Sequence, residues 1–60
     1  MESKTYRALR RITLEFPSQN KRLKVKAGQI LTGEVADGFL YFITEFGPAR
    51  IPLVLLEPAK

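Results

Sequence analysis

The chain has 60 residues, 45% of them hydrophobic, and carries ten Lys and Arg against six Asp and Glu, a formal net charge of +4. A chain this short forms one domain and buries only about 60% of the surface its unfolded form exposes, so its own core leaves little margin. With no Cys, no His and no Trp, disulfides, structural zinc, haem ligation and every nucleophile system built on Cys or His are excluded.

In chain order, the Met1 end is polar and is no signal peptide. Residues 1–4 are expected to fray, and the whole of 1–60 reads as a single domain. Between Thr5 and Phe16, the residues Tyr6, Ala8, Ile12, Leu14 and Phe16 alternate with Arg7, Arg11, Thr13 and Glu15, which is strand periodicity. Leu9 and Arg10 break the phase and predict a bulge or bend; a short N-terminal helix is the rival reading. Pro17-Ser18-Gln19-Asn20 is a polar turn cluster. Leu23 and Val25 alternate with Lys24 and Lys26, then turn at Ala27-Gly28. Gln29 to Ala36 and Phe39 to Phe46 pair across Asp37-Gly38, a strong hairpin signal because a type I′ turn needs positive φ at both positions. Gly47-Pro48 reads as a breaker, and Arg50-Ile51 and Leu55 to Glu57 as short closing pieces. Pro48 and Pro52 confine their neighbours to edges or turns, since proline cannot donate to a ladder. The expected class is all-β. Five short antiparallel strands cannot fill two full sheets, but they can close into a small barrel that hides its edges.

The signals from Ala8 to Glu57 together resemble an SH3 domain. Ala8-Leu9 is similar to the start of that family's Ala-Leu-Tyr-Asp-Tyr strand. Leu23-Lys24-Val25-Lys26-Ala27-Gly28-Gln29-Ile30-Leu31 looks like its diverging turn, and Asp37-Gly38-Phe39-Leu40 like its Asp-Gly-Trp-Trp segment. Ile51-Pro52 followed by Leu55-Leu56-Glu57 resembles its ending, which contains a single 3₁₀ turn. The resemblance implies an SH3-like barrel with that turn near Pro52. It does not imply the usual ligand. Arg10 and Ile12 replace the two opening tyrosines, Phe39 the groove Trp and Leu55 the late Tyr, and only Pro52 is unchanged. Ser18, Gln19, Asn20, Lys21 and Arg22 replace the acidic loop. A groove that binds polyproline II needs flat aromatic slots and acidic residues for the ligand's Arg, so a standard PxxP ligand is not expected.

Charge and hydrophobicity mark two surfaces. Residues 1–26 carry eight basic and two acidic side chains, +6, and residues 27–60 carry two and four, −2. Arg7 and Arg11 are expected on one strand face, Lys24 and Lys26 on another, and Lys21 and Arg22 at a loop tip. Together these six could receive an anion such as a phosphate backbone or an acidic protein; the simpler alternative is a set of solvated faces. Phe39-Leu40-Tyr41-Phe42-Ile43 is apolar at five consecutive positions. The resemblance sends Leu40 and Phe42 inward, leaving Phe39, Tyr41 and Ile43 on the outer face, with Leu55 and Pro52 beside them. Exposed apolar groups of this size mark a contact surface, unless loops and chain ends bury the strand on both sides.

Catalysis has little material. Glu15, Glu34, Asp37, Glu45 and Glu57 show no paired spacing, Ser3 and Ser18 have no base nearby, and the four glycines are isolated and read as turn residues. No metal site or cofactor is expected. The leading expectation is a non-catalytic module that docks a protein partner or self-associates through the apolar strand face. The alternative is a small nucleic-acid-binding protein whose cations neutralise phosphates, with Phe39 or Tyr41 for stacking. A third reading is an oligomeric enzyme with a symmetric pore, as in the drug-resistance dihydrofolate reductases of plasmids. Gln29, Tyr41 and Lys24 would line that pore, but the family's local motif is missing. No apolar run approaches a membrane span. Starting at its own Met and ending soon after the last strand, the chain reads as a free-standing gene product, expected in the cytoplasm.

Overall fold

The phase break at Leu9-Arg10 ends one strand and starts another. In the computed structural model, which describes residues 3–59, the first stretch divides into β1 (Lys4–Ala8) and β2 (Ile12–Phe16). They are followed by β3 (Lys21–Val25), β4 (Ile30–Ala36), β5 (Phe39–Thr44), β6 (Gly47–Pro52) and β7 (Leu56–Pro58). The described residues contain no α-helix, so the rival helical reading of the first stretch fails. The class is all-β, with seven strands among the described residues instead of five. A bulge would have kept one continuous ladder; Leu9 and Arg10 instead form a bend, the other form expected there. Here β1 pairs with β4 and β7, whereas β2 pairs with β3, so the chain changes sheets at the break.

Five strands form one antiparallel sheet in the order β6-β5-β4-β1-β7, and β2 and β3 form a separate hairpin. The β2–β3 connection is a 3₁₀ turn (Pro17–Gln19) closed by Asn20 in the left-handed region. Lys26 to Gln29 is a turn with Gly28 at φ 84°, braced by the Lys26 N–H donating to Gln29 Oε1 at 3.0 Å. Asp37 and Gly38 have φ of 53° and 81°, as a two-residue hairpin turn requires. A second 3₁₀ turn (Leu53–Leu55) follows Pro52 directly, and the Leu53 N–H donates to the Gly38 carbonyl at 3.0 Å.

Three expectations change in detail. Gly47-Pro48 opens β6 where a break was expected; β6 is a sheet edge, the one place a strand tolerates proline. Gly33 is no turn residue but lies inside β4. Lys4 stands opposite Gly33 in β1, and of the other residues expected to fray, Met1 and Glu2 lie outside the described residues. Among the described residues, no helix is long and apolar enough to cross a membrane.

The core gathers Ala8, Val25, Leu31, Leu40, Phe42, Ile51 and Leu56, with Tyr6, Ile12, Leu14, Ala49, Leu53 and Leu55 packed around them. Leu40 and Ile51 face each other across β5 and β6 and are both 0% exposed. Val25 comes from the β2–β3 hairpin, so the inner faces of both sheets share one interior. At its tip the hairpin is strapped to the β5–β6 turn. Phe16 and Phe46 meet edge to face at 5.6 Å, and Gln19 Nε2 donates to the Phe46 carbonyl at 2.6 Å.

Candidate functional site

Strand β5 divides its side chains by parity. Leu40 and Phe42 point into the core, as expected, which turns Phe39, Tyr41 and Ile43 to the other face. Phe39 and Tyr41 are half-buried against each other, with ring centroids 6.3 Å apart, and Ile43 is 79% exposed. Directly opposed residues of an antiparallel pair share a face. Across the β5–β6 register this sets Pro52 beside Phe39, Arg50 beside Tyr41 and Pro48 beside Ile43. Across β4–β5 it sets Ala36 beside Phe39 and Glu34 beside Tyr41.

The Arg50 guanidinium lies 4.6 Å from the Phe39 ring centroid, a cation–π contact worth about 0.5–1 kcal/mol at an exposed site. Next to Ile43 and Tyr41 the surface dips into an open hollow of about 470 Å³, whose lining includes Ser3, Thr32, Glu34 and Pro48. The patch is therefore mostly apolar, with one carboxylate and one guanidinium on opposite sides of Tyr41. Leu9, Ile30, Val35 and Val54 are also exposed, Leu9 and Val54 on a bend or turn and Ile30 and Val35 on β4, none of them in this row.

Leu55 does not join the patch. It lies in the second 3₁₀ turn, packs half-buried against the core, and its carbonyl accepts the Leu9 N–H at 2.9 Å. Pro48, Arg50 and Glu34 belong to the patch and were missed. The signal for Pro48 and Arg50 lies in the alternation Pro48-x-Arg50-x-Pro52, obscured because Gly47-Pro48 reads as the end of structure; Glu34 carries no such signal.

The cations are more scattered than their sequence order suggests. Arg7 and Arg11 share no strand face. Arg11 lies in the break before β2, and Arg7 in β1 binds Glu57 of β7 at 2.9 Å. Arg22 and Lys24 stand opposite Glu15 and Thr13 on the exposed face of the β2–β3 hairpin, and Lys26 follows just beyond β3 with the same parity. Arg22 reaches Glu15 at 3.7 Å. Lys21 stands opposite Phe16, on the other parity of that hairpin. An open hollow of about 570 Å³ at the hairpin tip is lined by Glu15, Pro17, Asn20, Lys21 and Arg22, so a carboxylate sits among its cations. Two of the six expected anion-binding residues are thus already matched by carboxylates.

Compared with known proteins, the chain matches no family model, no curated protein and no solved structure.

Proposed function

We propose that this chain is a small SH3-like interaction module, without chemistry of its own, that docks a protein partner on the outer face of β5 and β6. The SH3-like reading is supported by the turn at Ala27-Gly28, the Asp37-Gly38 turn leading into β5, and the 3₁₀ turn directly after Pro52. The docking reading rests on one observation. Phe39, Tyr41 and Ile43 form an apolar row facing away from the core, opposed by Pro52, Arg50 and Pro48. A 60-residue chain has little interior to spare, and apolar groups left in water on a strand invite association, so the row serves a contact.

The nucleic-acid reading keeps one supporting observation, the cations Arg22 and Lys24 on the exposed hairpin face with Lys26 beyond them. The two readings separate in one experiment. The untagged protein is purified with and without nuclease, beside an Ile43→Lys variant, a Tyr41→Lys variant and a Lys24→Glu/Lys26→Glu variant. The expected result is a nuclease-resistant association retained by the hairpin variant and lost by Ile43→Lys and Tyr41→Lys, both of which keep the wild-type circular dichroism. A nuclease-sensitive association lost only in the hairpin variant overturns the docking reading in favour of phosphate contacts. Unfolding of both β5 variants overturns it too, because those side chains would then be core.

A further inference from the structure

We propose that the occupant of this face is a second copy of the same chain, related by a twofold axis parallel to β5; the inference rests on the docking reading above and adds the identity of the partner. Charge points to this occupant. Glu34 and Arg50 flank Tyr41 on opposite sides, one strand away in each direction. Both are exposed, and neither forms an ion pair among the described residues. Adjacent strands lie about 4.8 Å apart, so the two charged rows are about 10 Å apart with the aromatic row between them.

A twofold axis running along β5 above Tyr41 exchanges the β4 side of one copy with the β6 side of the other. Arg50 of each copy then lies over Glu34 of its mate, giving two reciprocal ion pairs around an apolar centre. Phe39, Tyr41 and Ile43 meet their own counterparts, and Pro52 lies over the small side chain of Ala36. A twofold axis perpendicular to the strands in the same plane would stack Arg50 on Arg50 and Glu34 on Glu34, which is repulsive. The charge pattern selects the first arrangement, and such isologous pairing is the commonest form of self-assembly.

The edge of the sheet points the same way. Pairs in an antiparallel ladder alternate between hydrogen-bonded and non-hydrogen-bonded sites, and proline is confined to the latter. Pro48, Arg50 and Pro52 share that parity on β6, so of the three positions whose N–H would face outward only Arg50 has a donor. A second copy cannot readily extend the sheet from this edge. Stacking on the face remains, at a spacing of about 10 Å. Three strands of six residues span about 15 by 20 Å, well below the roughly 800 Å² per partner of a standard interface. The dimer is therefore weak and forms at high protein concentration.

Sedimentation equilibrium from about 10 μM to 1 mM at low salt tests the proposal. Dimer is expected to accumulate with concentration. Glu34→Arg and Arg50→Glu should each raise the dissociation constant about tenfold or more, and the combined Glu34→Arg/Arg50→Glu variant should return to within about threefold of wild type. Ile43→Lys should be monomeric throughout. Net charge alone cannot imitate this pattern: on a chain of +4, Glu34→Arg adds positive charge and Arg50→Glu removes it, so a general effect would move the two variants in opposite directions. Opposite shifts, or failure of the combined variant to recover, overturn the proposed geometry. A monomer at every concentration overturns self-association, while the docking reading is judged separately by the nuclease and Ile43→Lys comparison.

Discussion

Gly33→Ala is expected to cost the chain a large part of its stability. A Cβ at this position would lie 2.0 Å from the Tyr41 carbonyl oxygen, 2.9 Å from its carbonyl carbon and 3.0 Å from Phe42 Cβ. The nearest of these atoms are backbone, so no rotamer relieves the clash. The clash falls where β4 changes partners, from β1 at Ile30–Gly33 to β5 at Glu34–Ala36. Relieving it means separating β4 from β5, the pairing that supports both the core and the outward row of β5. At about 0.05–0.15 kcal/mol per residue, a chain of this length holds roughly 3–9 kcal/mol in total. A loss of about 3 kcal/mol or more is expected, to be read by urea unfolding. Gly28→Ala is the control. An added Cβ there meets nothing within 4 Å, and only the positive φ of 84° opposes it, at a cost of about 1–2 kcal/mol. A Gly33→Ala variant no less stable than Gly28→Ala would contradict the close approach of β4 and β5.

The second large effect is a contrast within one strand. Leu40→Ala should cost about 2–5 kcal/mol, whereas Ile43→Ala should stay within about 0.5 kcal/mol of wild type. Leu40 is fully enclosed and opposed by Ile51, so truncation leaves a cavity that the stiff β5–β6 ladder cannot close. Ile43 is 79% exposed, and in the monomer its side chain gives up little on removal. Thermal unfolding of the two variants checks the side-chain parity of β5 directly. Comparable losses for both would mean that β5 is enclosed on both faces and has no surface to offer.

Much of the fold is legible in the sequence because its determinants are local. Asp37-Gly38 and Ala27-Gly28 specify their turns through backbone freedom at two or three positions. The inward parity of Leu40 and Phe42, and the 3₁₀ turn after Pro52, were expected from the SH3 resemblance. What was not legible depends on distant partners. The irregularity at Leu9-Arg10 suits a bulge or a bend equally. Only the separate pairing of β1 with β4 and β7, and of β2 with β3, decides between them. Gly33 carries no local mark, since the atom that forbids a side chain there belongs to Tyr41. The candidate site divides in the same way. Phe39, Tyr41 and Ile43 follow from the inward parity of Leu40 and Phe42 that the SH3 resemblance implies, but Glu34, Pro48 and Arg50 join them through registers with β4 and β6. The basic residues look like one surface in sequence order, and the partners Glu57 and Glu15 that occupy Arg7 and Arg22 are visible only in space.

The proposed docking of a protein on the outward face of β5 and β6 predicts a contact confined to that surface. The most direct test maps the contact residue by residue: amide NMR spectra of the isotope-labelled chain, recorded as its concentration rises from about 10 μM to 1 mM and with any polypeptide that stays bound after nuclease. Perturbed amides confined to Glu34–Ala36, Phe39–Ile43 and Ala49–Ile51, with the β2–β3 hairpin unchanged, are the predicted result. Perturbations centred on Lys21–Lys26, with Phe39 to Ile43 silent, would contradict it.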